Sequence, residues 1–269
     1  MSTENEDRER AGKRGTDQTF YRTAVVLGLL AGAANEGLRF TDLQRQTRFS
    51  KATLHRLLAG LEEHGFVDLE QPGSRYFPGF RLGLWAAAAR NRHGLAQLLG
   101  PIVRELSERV QDTAYLSIRA NDMAVCVALH EGTGAVRALP LSPGDLSALG
   151  VGSAAAAILS TVQSEEEITS ILAAPDHRAY CDRRGVSHEH IRKHLERTRE
   201  LGYAYVDDLN PDMTGIAMAL RTRPGSPSAA ISVATIHSKV QDAQRRQSII
   251  ESLREAANKA NALIAQLPG

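Results

Sequence analysis

The chain has 269 residues, enough for two domains rather than one, and its 42% hydrophobic and 23% charged residues are those of a soluble globular protein. A net charge of +1 excludes binding of polyanions by bulk electrostatics, so a nucleic-acid site has to be a local patch. Two distant cysteines, Cys126 and Cys181, exclude a disulfide framework and a zinc-finger spacing, and the longest apolar stretch, residues 24–34, is too short to cross a bilayer. The densely charged N-terminus does not read as a signal peptide, and the reducing cytoplasm is the expected location.

Residues 1–17 are polar, carry charges of both signs and show no periodicity, which reads as a disordered arm. Over residues 20–34 the pattern turns helical, with Phe20, Ala24, Leu27 and Leu30 at helical spacing, and Asn35-Glu36-Gly37 closes it. Leu38-Arg39-Phe40 is a short extended link with Phe40 in the place of a hydrophobic staple. Thr41 opens a short helix with Gln44 at capping-box spacing and Leu43 as its buried residue. A turn falls at Arg48-Phe49. Ser50 then caps a second helix on which Leu54, Leu57, Leu58 and Leu61 share one face, while Lys51, Thr53, His55 and Arg56 occupy the other. Gly65 supplies its left-handed stop.

Between Leu43 and Leu61 no residue is acidic, whereas Arg45, Arg48, Lys51 and Arg56 are basic. The pair of helices predicts a helix-turn-helix whose second helix enters the DNA major groove; the alternative is an amphipathic helical hairpin with a solvated basic face. Phe66-Val67-Asp68-Leu69 and Arg75-Tyr76-Phe77 read as strands around a turn containing Pro72-Gly73, which makes the unit a winged helix-turn-helix. Arg75 in the wing is placed to meet a phosphate or to enter the minor groove.

Pro78-Gly79 breaks the chain, and residues 80–91 read as a helix with a stripe of Leu82, Trp85, Ala86 and Ala89. That helix is either a linker or dimer helix, or Trp85 is simply core. Gly100-Pro101 starts a helix that runs to about Val110. The period then switches to two: residues 113–120 and 123–130 are strands joined at Asn121-Asp122, and residues 136–141 are a third candidate. The loop 147–153, SALGVGS, leads into a helix over residues 154–161. A glycine-rich loop at a helix N-terminus is a ready anion site. It has no P-loop lysine and no GxGxxG, so it suits a small anionic ligand better than a nucleotide, or it only lets the helix pack closely. Ser164 caps the next helix. Residues 187–201 form another, capped at Ser187, closed by Gly202 and carrying His188, His190 and His194. The last two stand at i, i+4 and could share a metal ion, but Glu189 is the only obvious carboxylate and no metal is expected. Cys126 lies in an apparently buried strand and is not expected to be a redox thiol. Residues 203–207, 214–221 and 229–235 read as strands, with Pro224-Gly225-Ser226-Pro227 as the last turn, and a long amphipathic helix over 240–267 ends the chain. The second domain is thus an α+β, sensor-like body with a mixed sheet flanked by helices.

From about Phe20 onward the chain resembles the IclR family of bacterial transcriptional regulators. SKATLHRLLAGLEEHGFV, with Arg75-Tyr76 and GFRLG, is similar to the family's recognition helix, wing and linker entry. PGDLSALGVGSAAAAILS falls where the family has its ligand loop and following helix, and LGYAYVDD, TGIAMAL and SAAISVATI follow its closing strands. After the disordered arm over 1–17, the resemblance implies a winged helix-turn-helix domain over 18–79, a linker helix over 80–98 and a GAF-like effector-binding domain over 99–269. It implies homodimers or tetramers on pseudo-palindromic double-stranded operator DNA. Their effectors are small organic acids, some aromatic, that change DNA affinity or the recruitment of RNA polymerase; no cofactor and no membrane are involved. Carried over, DNA contacts fall on Arg22, Lys51, Thr53, His55, Arg56 and Arg75, beside the basic Arg45 and Arg48 of the turn region. Effector contacts fall on Leu139, Leu141, Gly152, Ser153, Ala154, the Asp207-Asp208 pair, Gly215 and Ser232.

The chain departs from the family pattern in places. Arg48 stands where the family usually has the turn glycine, Gly150 where a histidine is common, Ala155-Ala156 where a Gly-Lys pair is, and Ala234 where a small hydroxyl is. One residue is inserted near Val206, which leaves open which aspartate reaches the pocket. The less polar pocket predicts a bulkier or less charged ligand than a two-carbon keto acid. The leading reading is a ligand-responsive transcription factor without catalysis, switched by unequal binding of the ligand to two conformations. The alternative is a GAF-like cysteine-dependent enzyme carrying a helical adaptor. It would need a base beside Cys126 or Cys181 in an open site, and neither cysteine has a histidine or aspartate at suggestive spacing. An architectural DNA binder without a ligand would have little use for the second domain.

Overall fold

The computed structural model describes residues 3–33, 36–92, 94–134, 138, 140–222 and 228–266, with the backbone alone over 3–17 and 87–92. The chain divides into two compact units, Met1–Ala89 and Arg90–Gly269.

In the first unit α1 (Thr3–Gly32) is followed by β1 (Leu38–Arg39), α2 (Phe40–Thr47), α3 (Lys51–Glu63), β2 (Val67–Glu70) and β3 (Arg75–Pro78), and α4 (Phe80–Arg92) begins within it. Helix therefore starts at Thr3, inside the segment expected to be a disordered arm. That segment holds Glu6 and Arg10, and Glu9 and Lys13, at i, i+4 with the acid first, the order that supports a helix. The core is Val26, Leu30, Leu43, Leu54, Leu58, Leu61 and Val67. Phe20, one of the residues read at helical spacing, is 71% exposed, and Ala24 is exposed too. The inward face of α1 is set by Val26 and Leu30, the residues that meet the leucines of α2 and α3. Burying one such leucine contributes about 1.5–3 kcal/mol, so the unit depends on this small cluster.

The expected cap at Thr41 is also displaced. Helix α2 begins at Phe40 behind an extended Arg39, whose main-chain N–H is met by the Asp42 carboxylate at 3.4 Å. Helix α3 ends in a Schellman arrangement: Phe66 N–H donates to Leu61 C=O at 2.8 Å and Gly65 N–H to Glu62 C=O at 2.9 Å, with Gly65 at φ +69°. The strands form an antiparallel sheet in the order β1-β3-β2. Gly79 lies where the chain leaves the wing against the end of α3. A Cβ there would stand 2.3 Å from the Gly65 carbonyl oxygen, so only glycine fits. The first turns of α4 rest on this junction. Arg81 donates to His64 C=O at 3.0 Å, and Trp85 meets the edge of Phe66 with ring centroids 4.6 Å apart. Trp85 is still 56% exposed, so it is not a core residue of this unit.

The second unit runs α5 (Leu95–Val110), β4 (Thr113–Ala120), β5 (Met123–His130), β6 (Leu146–Ala148), α6 (Ser153–Ser160), α7 (Glu165–Ala173), α8 (Pro175–Arg184), α9 (His188–Leu201), β7 (Ala204–Val206), β8 (Met213–Leu220), β9 (Ala229–Ile236), α10 (His237–Gln241) and α11 (Ala243–Gln266). The six strands lie in the order β6-β5-β4-β9-β8-β7. Every described pairing is antiparallel, so the sheet is antiparallel rather than mixed; the short hairpin connections β4–β5 and β7–β8 require it. The α+β class stands. Helices α5 and α11 cover one face through Leu106, Leu116, Ile231 and Leu253. Helices α6 to α9 lie over the other, with Ile158, Leu159, Ile168 and Ile191 fully buried among them.

Several boundaries differ from the sequence reading. α5 starts at Leu95 and carries Pro101 inside it rather than at its first turn. The candidate strand over 136–141 falls largely outside the described residues, as does the turn at 224–227; the strand beside β5 is β6. The C-terminal helix is broken at Asp242, whose carboxylate accepts from Gln244 N–H at 2.9 Å and restarts it as α11. α8 is not evident from periodicity, because only His177 and Cys181 on it are buried. Asp112 at the end of α5 is fully buried. It accepts from Thr235 (3.0 Å), Lys239 (2.8 Å) and Arg245 (3.0 Å), locking β9, α10 and α11 to α5.

Candidate functional site

Each unit presents a surface with chemistry on it. In the first unit it is α3. Ser50 Oγ accepts from Thr53 N–H at 3.2 Å and donates to Thr53 Oγ1 at 2.9 Å, which fixes the first turn. Leu54, Leu58 and Leu61 anchor the buried face, with Leu57 half-buried beside them. That leaves Lys51, His55 and Arg56 exposed together and Thr53 half-exposed between them. His55 is stacked on Phe40 with ring centroids 4.2 Å apart, so Phe40 orients the imidazole rather than stapling α2 alone. Arg48 is exposed in the turn between the helices, at φ +57°. Arg45 pairs with Asp42 at 3.1 Å, but it is 77% exposed and such a pair contributes roughly 0.2–1 kcal/mol, too little to keep it from a phosphate. The Arg22 guanidinium lies 5.7 Å from the Phe49 ring centre, at the same turn. Arg75 differs from the expectation of a wing cation reaching outward. Its Nη1 donates to Glu36 C=O at 3.0 Å and Gly37 C=O at 3.1 Å, tying β3 to the approach to β1.

In the second unit a cavity of about 180 Å³ opens between the sheet, the start of α6 and α8. Its floor comes from alternate residues of β4, β5 and β9: Tyr115, Ser117, Cys126, Ser232 and Ala234. Further walls come from Leu141 in the loop after β5, Val206 at the end of β7, Leu209 beyond it, and Met213 and Gly215 on β8. Helix α6 begins at the cavity behind Gly152, at φ +83°, with no side-chain cap. Its unpaired first-turn N–H groups and the positive end of its dipole therefore face the ligand space. The Ser153 and Ser232 hydroxyls line the cavity without a partner among the described residues. Arg184 on α8 adds a cation at the wall beside Tyr180, with its guanidinium 5.5 Å from the Tyr180 ring centre. The arrangement suits a carboxylate attached to an apolar body.

Of the residues expected at the effector site, Leu141, Gly152, Ser153, Ala154, Gly215 and Ser232 line this cavity, and Leu139 lies outside the described residues. Neither Asp207 nor Asp208 lines it. Asp208 is turned to α9, where its carboxylate sits 2.9 Å from His194 Nε2, and Leu209 and Asn210 face the cavity instead. Tyr115, Cys126 and Arg184 are not singled out as lining residues by the sequence. The strand residues could have been found from alternation once the register was known; Arg184 lies on the helix that periodicity does not reveal.

The two thiols are buried. Burial, with the Asp145 carboxylate nearby, pushes the Cys126 thiol up to about 11, and burial pushes Cys181 up as well. Contrary to the expectation from spacing, Cys181 does have a histidine beside it: His177 lies one turn earlier, with Nδ1 3.6 Å from Sγ. Both side chains are buried on the inward face of α8, and burial holds the His177 imidazole below its usual pKa. Neither thiol carries the low pKa of an activated nucleophile.

Residues 21–70 match the family model of the IclR helix-turn-helix domain, and residues 87–262 that of the bacterial transcriptional regulator IclR C-terminal domain. Among curated proteins, the chain is 26% identical over 260 residues to the HTH-type transcriptional regulator XynR of Escherichia coli K12, covering 94% of this chain and 97% of that protein. It is 28% identical over 240 residues to the acetate operon repressor of Salmonella typhimurium LT2, covering 85% and 83%. Among solved structures, an IclR-type regulator of Silicibacter sp. TM1040 superposes with a TM-score of 0.74 at 20% identity, over 93% of this chain and 98% of that one. An IclR homologue of Microbacterium hydrocarbonoxydans, complexed with 4-hydroxybenzoate, superposes with a TM-score of 0.70 at 19% identity, over 93% and 100%.

Proposed function

The chain belongs to the IclR family of bacterial transcriptional regulators, and we propose that an organic acid with an aromatic body, bound in the cavity of its second unit, governs its affinity for operator DNA. The observation that carries the ligand class is the uncapped α6 N-terminus and Arg184 set against apolar walls. A carboxylate meets the N–H groups and the guanidinium, and a ring fills the space along Leu141, Val206 and Met213. Lys51, Thr53, His55 and Arg56 read base edges from α3, and Arg22, Arg45 and Arg48 meet phosphates around its start. Arg75 serves the wing by bracing it, with its remaining N–H groups available to the backbone of the duplex. The protein acts as a homodimer or tetramer, which paired half-sites require, and contact with RNA polymerase is one route to activation. In this reading the thiols take no catalytic part, since burial raises both above their ordinary pKa, away from an activated nucleophile.

Calorimetry on the full chain tests the ligand class. Benzoate or 4-hydroxybenzoate binds more tightly than glyoxylate, and Arg184→Ala weakens the aromatic acid by about tenfold or more, the loss of one charge-assisted hydrogen bond. Glyoxylate binding more tightly than any aromatic acid would overturn the reading.

A further inference from the structure

Away from the cavity, three metal-ligating side chains converge from two elements. His190 and His194 lie one turn apart on α9, with ring centres 4.5 Å apart. Asp208, in the connection from β7 to β8, points its Oδ2 at both: 2.9 Å from His194 Nε2 and 3.7 Å from His190 Nε2. One atom from each of the three lies within 4.8 Å of the others. A hydrogen bond accounts for His194. It does not account for His190, which at 3.7 Å is too far to bond yet directs the same ring nitrogen at the same oxygen.

We propose that His190, His194 and Asp208 form a divalent-metal site, suited to Zn²⁺, that clamps the β7–β8 connection to α9. Two ligand atoms at zinc's usual 2.0–2.1 Å in tetrahedral geometry stand about 3.3 Å apart, between the two separations seen here. Two imidazoles with one carboxylate suit zinc and its neighbours in the first transition row rather than Mg²⁺ or Ca²⁺, which take oxygen ligands. The scaffold is rigid: Ile191 and Leu195 on the same helix are buried, and Ser187 caps it through His190 N–H at 3.1 Å. His194 is nearly buried, whereas His190 and Asp208 reach solvent, so an ion can enter and the fourth position is left to water. Within the clamped connection, Leu209 and Asn210 line the cavity, so the metal would order one of its walls. The site stands on its own ligands, whether or not the cavity takes an organic acid.

Full-length protein stripped with a chelator and titrated with Co²⁺ should take up one equivalent, with the intense visible bands of a four- or five-coordinate cobalt site, and Zn²⁺ should displace it. His190→Gln and Asp208→Asn, each with an unchanged far-UV circular dichroism spectrum, should weaken binding by about tenfold or more. Zn²⁺ should also slow amide hydrogen exchange over residues 207–212 in the unaltered chain and not in Asp208→Asn. Stoichiometric cobalt bands that persist in the His190→Gln/Asp208→Asn double variant would place the metal elsewhere and overturn the site. So would the absence of any binding at millimolar Zn²⁺. Binding at these three ligands without slower exchange over 207–212 would overturn the clamp.

Discussion

Arg48 holds φ +57° in the turn before α3, a conformation that glycine adopts at no steric cost. The left-handed backbone costs a residue with a Cβ roughly 1–2 kcal/mol, while a glycine loses about 0.5–1 kcal/mol in chain entropy, so strain is the larger effect. Arg48→Gly is therefore expected to raise stability by about 0.5–1 kcal/mol in urea unfolding. It should also bind operator more weakly and lower the salt slope of binding by about one contact. An unchanged slope would remove Arg48 from the phosphate contacts. Legibility at this scale follows distance along the chain. The Ser50–Thr53 cap closes within one turn, and the Leu54, Leu58 and Leu61 face is set by a spacing within one helix, so the sequence announces both although the leucines' packing partners lie on α1 and α2. The direction of Asp208 depends on His194, fourteen residues earlier and on another element, and nothing local encodes it. Arg75 likewise bonds carbonyls nearly forty residues away, so a cation that looks outward in the sequence turns back in the structure.

Elements are held together by a few buried polar side chains, and His177 on α8 is one of them. Its main-chain N–H donates to Asp122 in the β4–β5 turn at 3.1 Å, and its Nε2 lies 2.9 Å from Leu149 C=O in the loop ahead of α6. Burial lowers its pKa from the ordinary 6.5. Above that value the ring is neutral in both folded and unfolded chains, and its contribution is constant. As pH falls through about 6.5 the unfolded chain takes up a proton that the folded one refuses, so stability declines until the lower folded pKa is reached. Between pH 7.5 and 5.5 the unaltered protein should lose more stability than His177→Gln, measured by denaturant unfolding. Equal losses would show that this imidazole is not the titrating group. Most helices and strands are legible because their apolar period or their caps are, as with Ser164 and Ser187. α8 is not: it lies over the cavity with only two residues buried, leaving the first-position Pro175 and the closing Gly185 as its signals.

Across the whole molecule, effector and operator are linked through free energy, whatever the path between them. If the acid changes operator affinity by some factor, operator must change affinity for the acid by the same factor, in the range of about 5–150-fold for typical couplings. Calorimetry of the acid with and without saturating operator should give that factor, matched by DNA anisotropy with and without the acid. A factor of one would mean that the cavity ligand does not govern operator binding. The two-unit organisation, the winged head and the α+β body are all visible in the sequence, because each rests on long runs of periodic residues. The sheet's strand order is not, since it depends on β4 meeting β9 across more than a hundred residues. That pairing has an evolutionary consequence. Along β4 and β9 alternate side chains part company: Tyr115, Ser117, Ser232 and Ala234 face the cavity, and Ala114, Leu116 and Ile231 face the core under α5 and α11. Descendants of this gene can thus exchange one floor residue at a time, sampling new ligands, while the hydrophobic layer that keeps the protein folded is inherited intact.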